Sequence, residues 1–259
     1  MTNPAYAFGD DDTAAERLHM LAYIFAPEIK SFLGRVPPDP GLVIDLGCGP
    51  GFTTRLIAET LNARKTVGFD TSQPFLDLAG RQEASGVAFL EHDVTRAPFP
   101  TGAADVLFCH LLLPHLAVPA AVLRTWASQL RPAGLLLVDE VSDIQTTNPT
   151  FRTYLDAAER LLQGVGGDLY VGRRVEQLGR VPGLRRISSR LVKHPVTTAA
   201  CARMFRLNLN AWGPNPHAEL SDQERADLAT ELDNLTTSPA TTDIHWQMRQ
   251  VTFKATTGG

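Results

Sequence analysis

A glycine-rich loop carries the strongest chemical signal in the chain. Gly47, Gly49 and Gly51 follow the short apolar run 42–46, and helical spacing of apolar residues begins at Phe52. Glycines in such a turn tolerate positive φ and let a ligand approach the backbone closely. The start of the following helix offers unpaired N–H groups to an anionic group. The loop therefore predicts a nucleotide-like ligand at the end of the first strand.

The spacing of the loop separates two classes of ligand. A dinucleotide fingerprint would place its third glycine at position 52, but that residue is Phe52 and the glycine comes one position earlier, at Gly51. Asp45 precedes the first glycine by two residues, where a carboxylate would repel a pyrophosphate and attract an amino group. We therefore expect a ligand with an amine and a carboxylate beside a ribose.

Two further aspartates follow the next two predicted strands. Asp70 has the place after the glycine loop that is typical of a ribose-binding acid, and its carboxylate can accept from both ribose hydroxyls. Asp93 is followed by Val94, so that a carboxylate can accept from an exocyclic amine and a backbone N–H can donate to a ring nitrogen. Each aspartate alone is equally typical of a helix cap or a turn. Acids at successive strand ends favour one binding site.

Two histidines are the candidate catalytic residues. His110 and His115 flank residues 111–114, directly after the fourth predicted strand. Histidine titrates near neutral pH and is suited to act as a general base. The structural alternative is a histidine that only hydrogen-bonds the loop. His110 is close enough to the strand to belong to it, so the sequence slightly favours His115 as the base.

The pattern of apolar residues predicts the elements that position these side chains. Short apolar runs alternate with amphipathic stretches, with strands expected at 42–46, 66–69, 87–90, 104–109 and 135–138. This alternation is typical of a doubly wound α/β fold with a parallel sheet. Beyond Glu140 we expect helices at 151–163, 198–212 and 221–235, and strands at 184–196 and 244–254 that form an antiparallel edge.

Composition excludes several classes of protein. The chain has 259 residues, a formal net charge of −4 and 44% hydrophobic residues, which is typical of a globular protein. A mildly acidic chain predicts no nucleic-acid partner, and no apolar run is long enough to predict a membrane span. Three scattered cysteines and a polar, acidic amino terminus favour a cytoplasmic protein with reduced thiols. No residues have metal-ligand spacing, so no metal is expected.

Together these motifs resemble those of the class I S-adenosylmethionine-dependent methyltransferases. The similar segments lie within residues 6–140, and they are the loop 43–51, Asp70, the pair His92-Asp93, residues 104–107 and the turn 130–134. The turn departs from the family pattern because Ala133 stands where a glycine is usual. The resemblance implies a mostly parallel seven-stranded Rossmann-like sheet and S-adenosylmethionine as cofactor. It places the methionine moiety at Gly47, the ribose at Asp70 and the adenine at Asp93.

The resemblance also implies an amino-terminal helical lid, in which Tyr6 closes over the cofactor and Arg17 meets its carboxylate. The alternative is a helix that only packs on the domain, with Arg17 in solvent. The expected cofactor site comprises Tyr6, Arg17, Asp45, Gly47, Cys48, Gly49, Gly51, Asp70, Thr71, Asp93, Val94 and His110.

These motifs predict three parts and one function. A lid (1–40) and a helical cap (197–240) flank a cofactor-binding domain formed by 41–196 and 241–259. The predicted function is methyl transfer to a small-molecule acceptor, with O-methylation favoured. N- or C-methylation, a cofactor-binding protein without methyl transfer, and a nicotinamide oxidoreductase are the alternatives, and Phe52 argues against the last.

Overall fold

A seven-stranded sheet forms the centre of the molecule. The computed structural model describes residues 11–82, 84–238 and 244–256. The strands are β1 (Leu42–Leu46), β2 (Lys65–Asp70), β3 (Val87–Glu91), β4 (Ala104–His110), β5 (Leu130–Thr146), β6 (Leu184–Val196) and β7 (Ile244–Ala255). Their order is β3-β2-β1-β4-β5-β7-β6, with β1 to β5 parallel and β7 antiparallel to both of its neighbours. The predicted doubly wound, mostly parallel sheet is confirmed.

Eight α-helices cover the sheet within the described ranges. They are α1 (Asp12–Leu33), α2 (Phe52–Leu61), α3 (Gln73–Gly80), α4 (Pro119–Ala127), α5 (Pro149–Gly164), α6 (Val175–Leu178), α7 (Thr198–Trp212) and α8 (Asp222–Leu235). Several begin at side-chain caps that the sequence provides. Asp11 accepts from the N–H of Ala14, and Ser221 and Glu224 form a reciprocal capping box at α8. None of these described helices is long and apolar enough to cross a membrane.

Alternating strand residues bury two faces of the sheet. On one face, Val43 and Phe108 pack with α1, α2, α5, α7 and α8. On the other, Ile44 and Leu107 pack with α4, whose Trp126 is fully buried. Each such large side chain stabilises the fold by about 1.5–3 kcal/mol. The described parts of the predicted lid and cap share one core with the sheet, and the division into three units stays a prediction.

β5 is much longer than the sequence pattern predicts. It continues to Thr146 because β7 pairs with it from Leu135 onward. Polar residues beyond position 138 break the apolar run, so the sequence gives no strand signal there. As a result, Asp139 and Glu140 are interior strand residues with 1% and 0% exposure, rather than residues at a strand end. This extension decides which groups surround His110.

Candidate active site

A cavity of about 300 Å³ lies where the ends of β1, β2 and β4 meet α1, α5 and α7. This is the point where the strand order reverses, the usual ligand site of an open α/β sheet. Most of the sequence-predicted site residues meet here. Those on its wall are Arg17, Gly47, Cys48, Gly49, Asp70, Thr71, Asp93, Val94, His110 and His115. Tyr6 lies outside the described residues.

The glycine loop has the positive φ values that its glycines allow. Gly47, Gly49 and Gly51 have φ values of 69°, 51° and 81°, a region that other residues rarely adopt. A Cβ atom on Gly47 would lie 2.7 Å from a methyl carbon of Leu112. Gly51 is not on the cavity wall; it caps the start of α2. The loop thus presents backbone to the cavity, and Gly51 makes the turn that allows it.

Asp70 ties the glycine loop to the end of β2. One carboxylate oxygen accepts from the backbone N–H of Gly49 at 2.8 Å, and the other accepts from the N–H of Ser72 at 2.9 Å. The carboxylate is therefore held on the cavity wall in a fixed orientation.

Asp93 lies further along the same wall, and its side chain also stabilises a turn. Its Oδ1 accepts from the backbone N–H and the hydroxyl of Thr95 at 3.0 and 2.6 Å, and its Oδ2 pairs with Arg96 at 3.1 Å. Val94 and Phe75 line the cavity beside it. The geometry agrees with both interpretations of Asp93, as a turn residue and as a residue that faces an adenine.

Asp45 lies beneath the loop rather than on the wall. Its side chain is 2% exposed and accepts from the Thr54 hydroxyl at 2.7 Å. Burial raises the pKa of Asp45 to about 7, against the lowering effects of Thr54 and His110. Cys48 is on the wall, and burial raises the pKa of its thiol well above the ordinary range, which disfavours the reactive thiolate.

Arg17 is buried on the cavity wall, so the alternative that it is solvated does not hold. It is 4% exposed and lies on α1 together with Leu18 and Leu21, which also line the cavity. Its charge is close enough to contribute to the lowered pKa of His115. Of the lining residues that the structure describes, Arg17 is the only lysine or arginine. α1 thus forms part of the wall and brings a positive charge to it.

His110 forms a dyad with a buried carboxylate. Its Nδ1 lies 3.1 Å from Oδ2 of Asp139, and no group in the described ranges hydrogen-bonds its Nε2. Burial opposes the protonated imidazole, but the hydrogen bond and charge of Asp139, with Glu140 and Asp45, outweigh it and raise the pKa of His110. An Nδ1–H that donates to Asp139 leaves the neutral ring with a lone pair on Nε2. His110 lines the cavity, and the buried Nε2 of its neutral ring can accept a proton.

His115 has the opposite electrostatic environment. It ends the short 3₁₀ helix Leu113–His115 and lines the cavity. Burial, with a smaller contribution from Arg17, lowers the pKa of His115 to about 3. Such a weak base takes up a proton poorly near neutral pH. Of the two rings, His110 is thus the stronger base, whereas the sequence slightly favours His115.

Glu140 has a role that sequence reasoning missed. Its Oε1 accepts from the backbone N–H groups of Leu112 and Leu113 at 3.0 and 2.9 Å. Burial raises the pKa of Glu140 to about 7. The carboxyl group therefore anchors the loop after β4, which carries Leu112 against Gly47. No spacing signal could reveal this contact, because it depends on the unpredicted extension of β5.

The far end of the cavity is apolar. Its wall there comes from β5, α5, the 165–169 loop, α7 and β7, and the apolar residues are Val141, Ile144, Leu155, Ala158, Leu162, Val165, Leu169, Met204, Phe205 and Trp246. One polar pair interrupts it. Asn208 donates to the hydroxyl of Tyr154 at 2.6 Å, while the Asn208 carbonyl oxygen has no hydrogen-bond partner within the described residues. This end suits an apolar ligand that carries one further polar group.

Comparisons with known proteins agree with this geometry. A family model described as "Methyltransferase domain" matches residues 44–138. Trans-aconitate 2-methyltransferase of Azoarcus sp. (strain BH72) is 36% identical over 110 residues, which are 42% of this chain and 43% of that protein. The chain thus spans less than half the length of that relative. The Delftia acidovorans protein of the same name is 27% identical over 78% of this chain and 81% of its own.

Solved structures share the fold. The complex of Haemonchus contortus phosphoethanolamine N-methyltransferase 2 with phosphomonomethylethanolamine and S-adenosylhomocysteine superposes with a TM-score of 0.57. It has 16% identity and covers 93% of this chain and 58% of its own. The sheet order and the glycine loop define a Rossmann-like protein with a site for a nucleoside-containing cofactor. Residues 44–138 thus match a methyltransferase domain, and the chain is similar to class I S-adenosylmethionine-dependent methyltransferases, whose cofactor is S-adenosylmethionine.

Proposed function

We propose that this protein transfers a methyl group from S-adenosylmethionine to a hydroxyl group of a small molecule, and that His110 accepts the hydroxyl proton. The observation that carries the proposal is the His110–Asp139 dyad. His110 lines the cavity, and its Nε2 has no hydrogen-bond partner among the residues that the structure describes. A positioned general base of this kind contributes about 10²–10⁴-fold to rate.

The residues of the wall fit the cofactor. The loop at Gly47 and Gly49 admits a ligand against the backbone, and Asp70 offers acceptor oxygens to ribose hydroxyls. Asp93 and Val94 would meet the adenine, and Arg17 would meet the methionine carboxylate. When bound, the cofactor supplies an electrophilic methyl group on a sulfonium. The chain positions both reactants, excludes water and removes a proton.

The apolar end favours a neutral acceptor. The relatives described above are named trans-aconitate 2-methyltransferases, so the tricarboxylate trans-aconitate is a second candidate acceptor. Burying several carboxylates costs much free energy unless each is paired with a positive charge. Among the described residues of the cavity wall, Arg17 is the only lysine or arginine. A carboxylate acceptor is already deprotonated and needs no general base, so the His110–Asp139 dyad would have no catalytic role. An apolar molecule with a hydroxyl group uses both features.

The acceptor class can be tested by following S-adenosylhomocysteine production with two sets of acceptors. We expect turnover with at least one member of a panel of apolar phenols and alcohols, and only background with trans-aconitate. Replacing Leu155 with aspartate, which places a charge on the apolar wall, should abolish that turnover while S-adenosylhomocysteine still binds. Methylation of trans-aconitate by the wild-type protein, with none of the panel, would contradict the proposed acceptor class.

The predicted cellular location forms part of the same proposal. Cys48, Cys109 and Cys201 are all free and buried. Free thiols are typical of a reducing compartment, which supports placing the protein in the cytoplasm.

A further inference from the structure

Four polar residues lie in one row across the sheet. His110 on β4 is in register with Asp139 on β5, Asp139 with Gln250 on β7, and Gln250 with Arg190 on β6. Side chains at paired positions of neighbouring strands lie on the same face, close enough to interact. The row therefore runs from the cavity to the edge strand of the sheet.

Helix α1 covers this row. The ring of Phe25 lies 5.7 Å from that of His110, and the guanidinium of Arg190 lies 5.8 Å from the ring of Phe32. Asp139 and Gln250 are 1% and 0% exposed. Polar side chains this deeply buried are costly unless they are hydrogen-bonded, so the contacts within the row matter.

The orientation of the Gln250 amide follows from its neighbour. Arg190 Nε donates to Gln250 Oε1 at 2.6 Å. Arginine has no acceptor, so the amide oxygen must face Arg190 and the NH₂ group must be the end left for other partners. Gln250 Nε2 and Asp139 Oδ1 are each buried without a hydrogen-bond partner in the described parts of the chain. A donor and an acceptor are thus both unsatisfied at directly paired positions.

We propose that Gln250 and Arg190 are positioning residues for the base: Gln250 Nε2 donates to a water that in turn donates to Asp139 Oδ1, and Arg190 holds the Gln250 amide. Asp139 is then held from both sides, and its Oδ2 stays available to Nδ1–H of His110. This inference rests on the proposed role of His110 in proton removal.

The row also tunes the base. A donor on Asp139 withdraws negative charge from the carboxylate, and the positive charge of Arg190 adds to this effect. Both oppose protonation of His110, which Asp139, Glu140 and Asp45 promote. Within the described residues, the other charged groups that act on the row are His194 on β6, which interacts with Asp139, and Glu28 on α1 and Arg35 just after α1, which interact with Arg190. Gln250 and Arg190 therefore offset part of the rise in the pKa of His110 and favour the neutral ring, which can accept a proton.

The test is an NMR pH titration of ¹⁵N-histidine-labelled full-length protein saturated with S-adenosylhomocysteine, with the His110 signal assigned by His110→Gln. Gln250→Leu and Arg190→Met are each expected to raise the pKa of His110 by about half to one pH unit. Arg190→Lys, which keeps a donor and the charge, should restore the wild-type value. Gln247→Leu is the matched control, with the same residue type on the other face of β7.

The outcomes separate this inference from the proposed function. If Gln250→Leu does not fold, Arg190→Met at the half-buried edge position decides the result. An unchanged His110 pKa in the variants, with S-adenosylhomocysteine still bound, would overturn the positioning role alone. Failure of wild-type protein to bind S-adenosylhomocysteine would instead contradict the proposed function.

Discussion

Replacing Asp70 with alanine is expected to weaken S-adenosylhomocysteine binding by about 100-fold or more, the largest loss of affinity we predict. The change removes the acceptors proposed for the ribose hydroxyls. It also frees the N–H groups of Gly49 and Ser72, which Asp70 holds at 2.8 and 2.9 Å. Cofactor contacts and loop shape are therefore lost together. Isothermal titration calorimetry measures the effect directly.

Two comparisons make the Asp70 result specific. Asp77→Ala removes an exposed aspartate of α3 that is outside the cavity wall, and it should bind S-adenosylhomocysteine as the wild type does. Asp70→Asn keeps one acceptor oxygen and should lose less affinity than the alanine variant. Equal affinity of Asp70→Ala and the wild type would remove Asp70 from the cofactor site.

Replacing His110 with alanine should reduce the rate of methyl transfer to a hydroxyl acceptor by about 10²–10⁴-fold. Binding of S-adenosylhomocysteine should change little, because the proposed role of His110 is proton transfer. His115→Gln is the matched control and should retain most of the rate, since a group with a pKa of about 3 contributes little as a base. The opposite order of the two variants would make His115 the base.

The pH profile gives an independent check on the dyad. Only neutral His110 can accept a proton, so the rate should fall as the pH falls through the pKa of His110. Asp139 contributes to the raised pKa of His110, and removing its charge lowers that pKa. In Asp139→Asn the fall in rate should therefore move to lower pH, and the maximum rate should decrease because the ring loses its orienting acceptor. A fall at the same pH in both proteins would contradict the dyad.

The residues predicted for the cofactor follow a local pattern, and the structure brings most of them to one cavity wall. The loop at Gly47 needs positive φ, and parallel strands bring Asp70 and Asp93 to one edge of the sheet, as the register of β2 with β3 requires. Asp45 is the exception. Its spacing predicts its position at the strand end but does not predict on which side of the loop its carboxylate lies. In the structure the carboxylate lies beneath the loop and accepts from Thr54.

The catalytic half depends on contacts between distant segments. Asp139 and Glu140 interrupt an apolar run, and they become interior strand residues only because β7, more than 100 residues later, pairs with β5. The same pairing brings Gln250 beside Asp139. The local pattern of apolar and polar residues does not predict the register of β5 with β7. Sequence reasoning could therefore name both histidines but could not assign the carboxylate partner that distinguishes them.

A crystal structure of the protein with S-adenosylhomocysteine tests the central claim most directly. We predict that the ribose hydroxyls hydrogen-bond the carboxylate of Asp70, that the amino-acid carboxylate meets Arg17, and that the sulfur faces the side of the cavity that holds His110. A nucleoside bound at the apolar end beside Phe205, or a sulfur turned away from His110, would contradict the account.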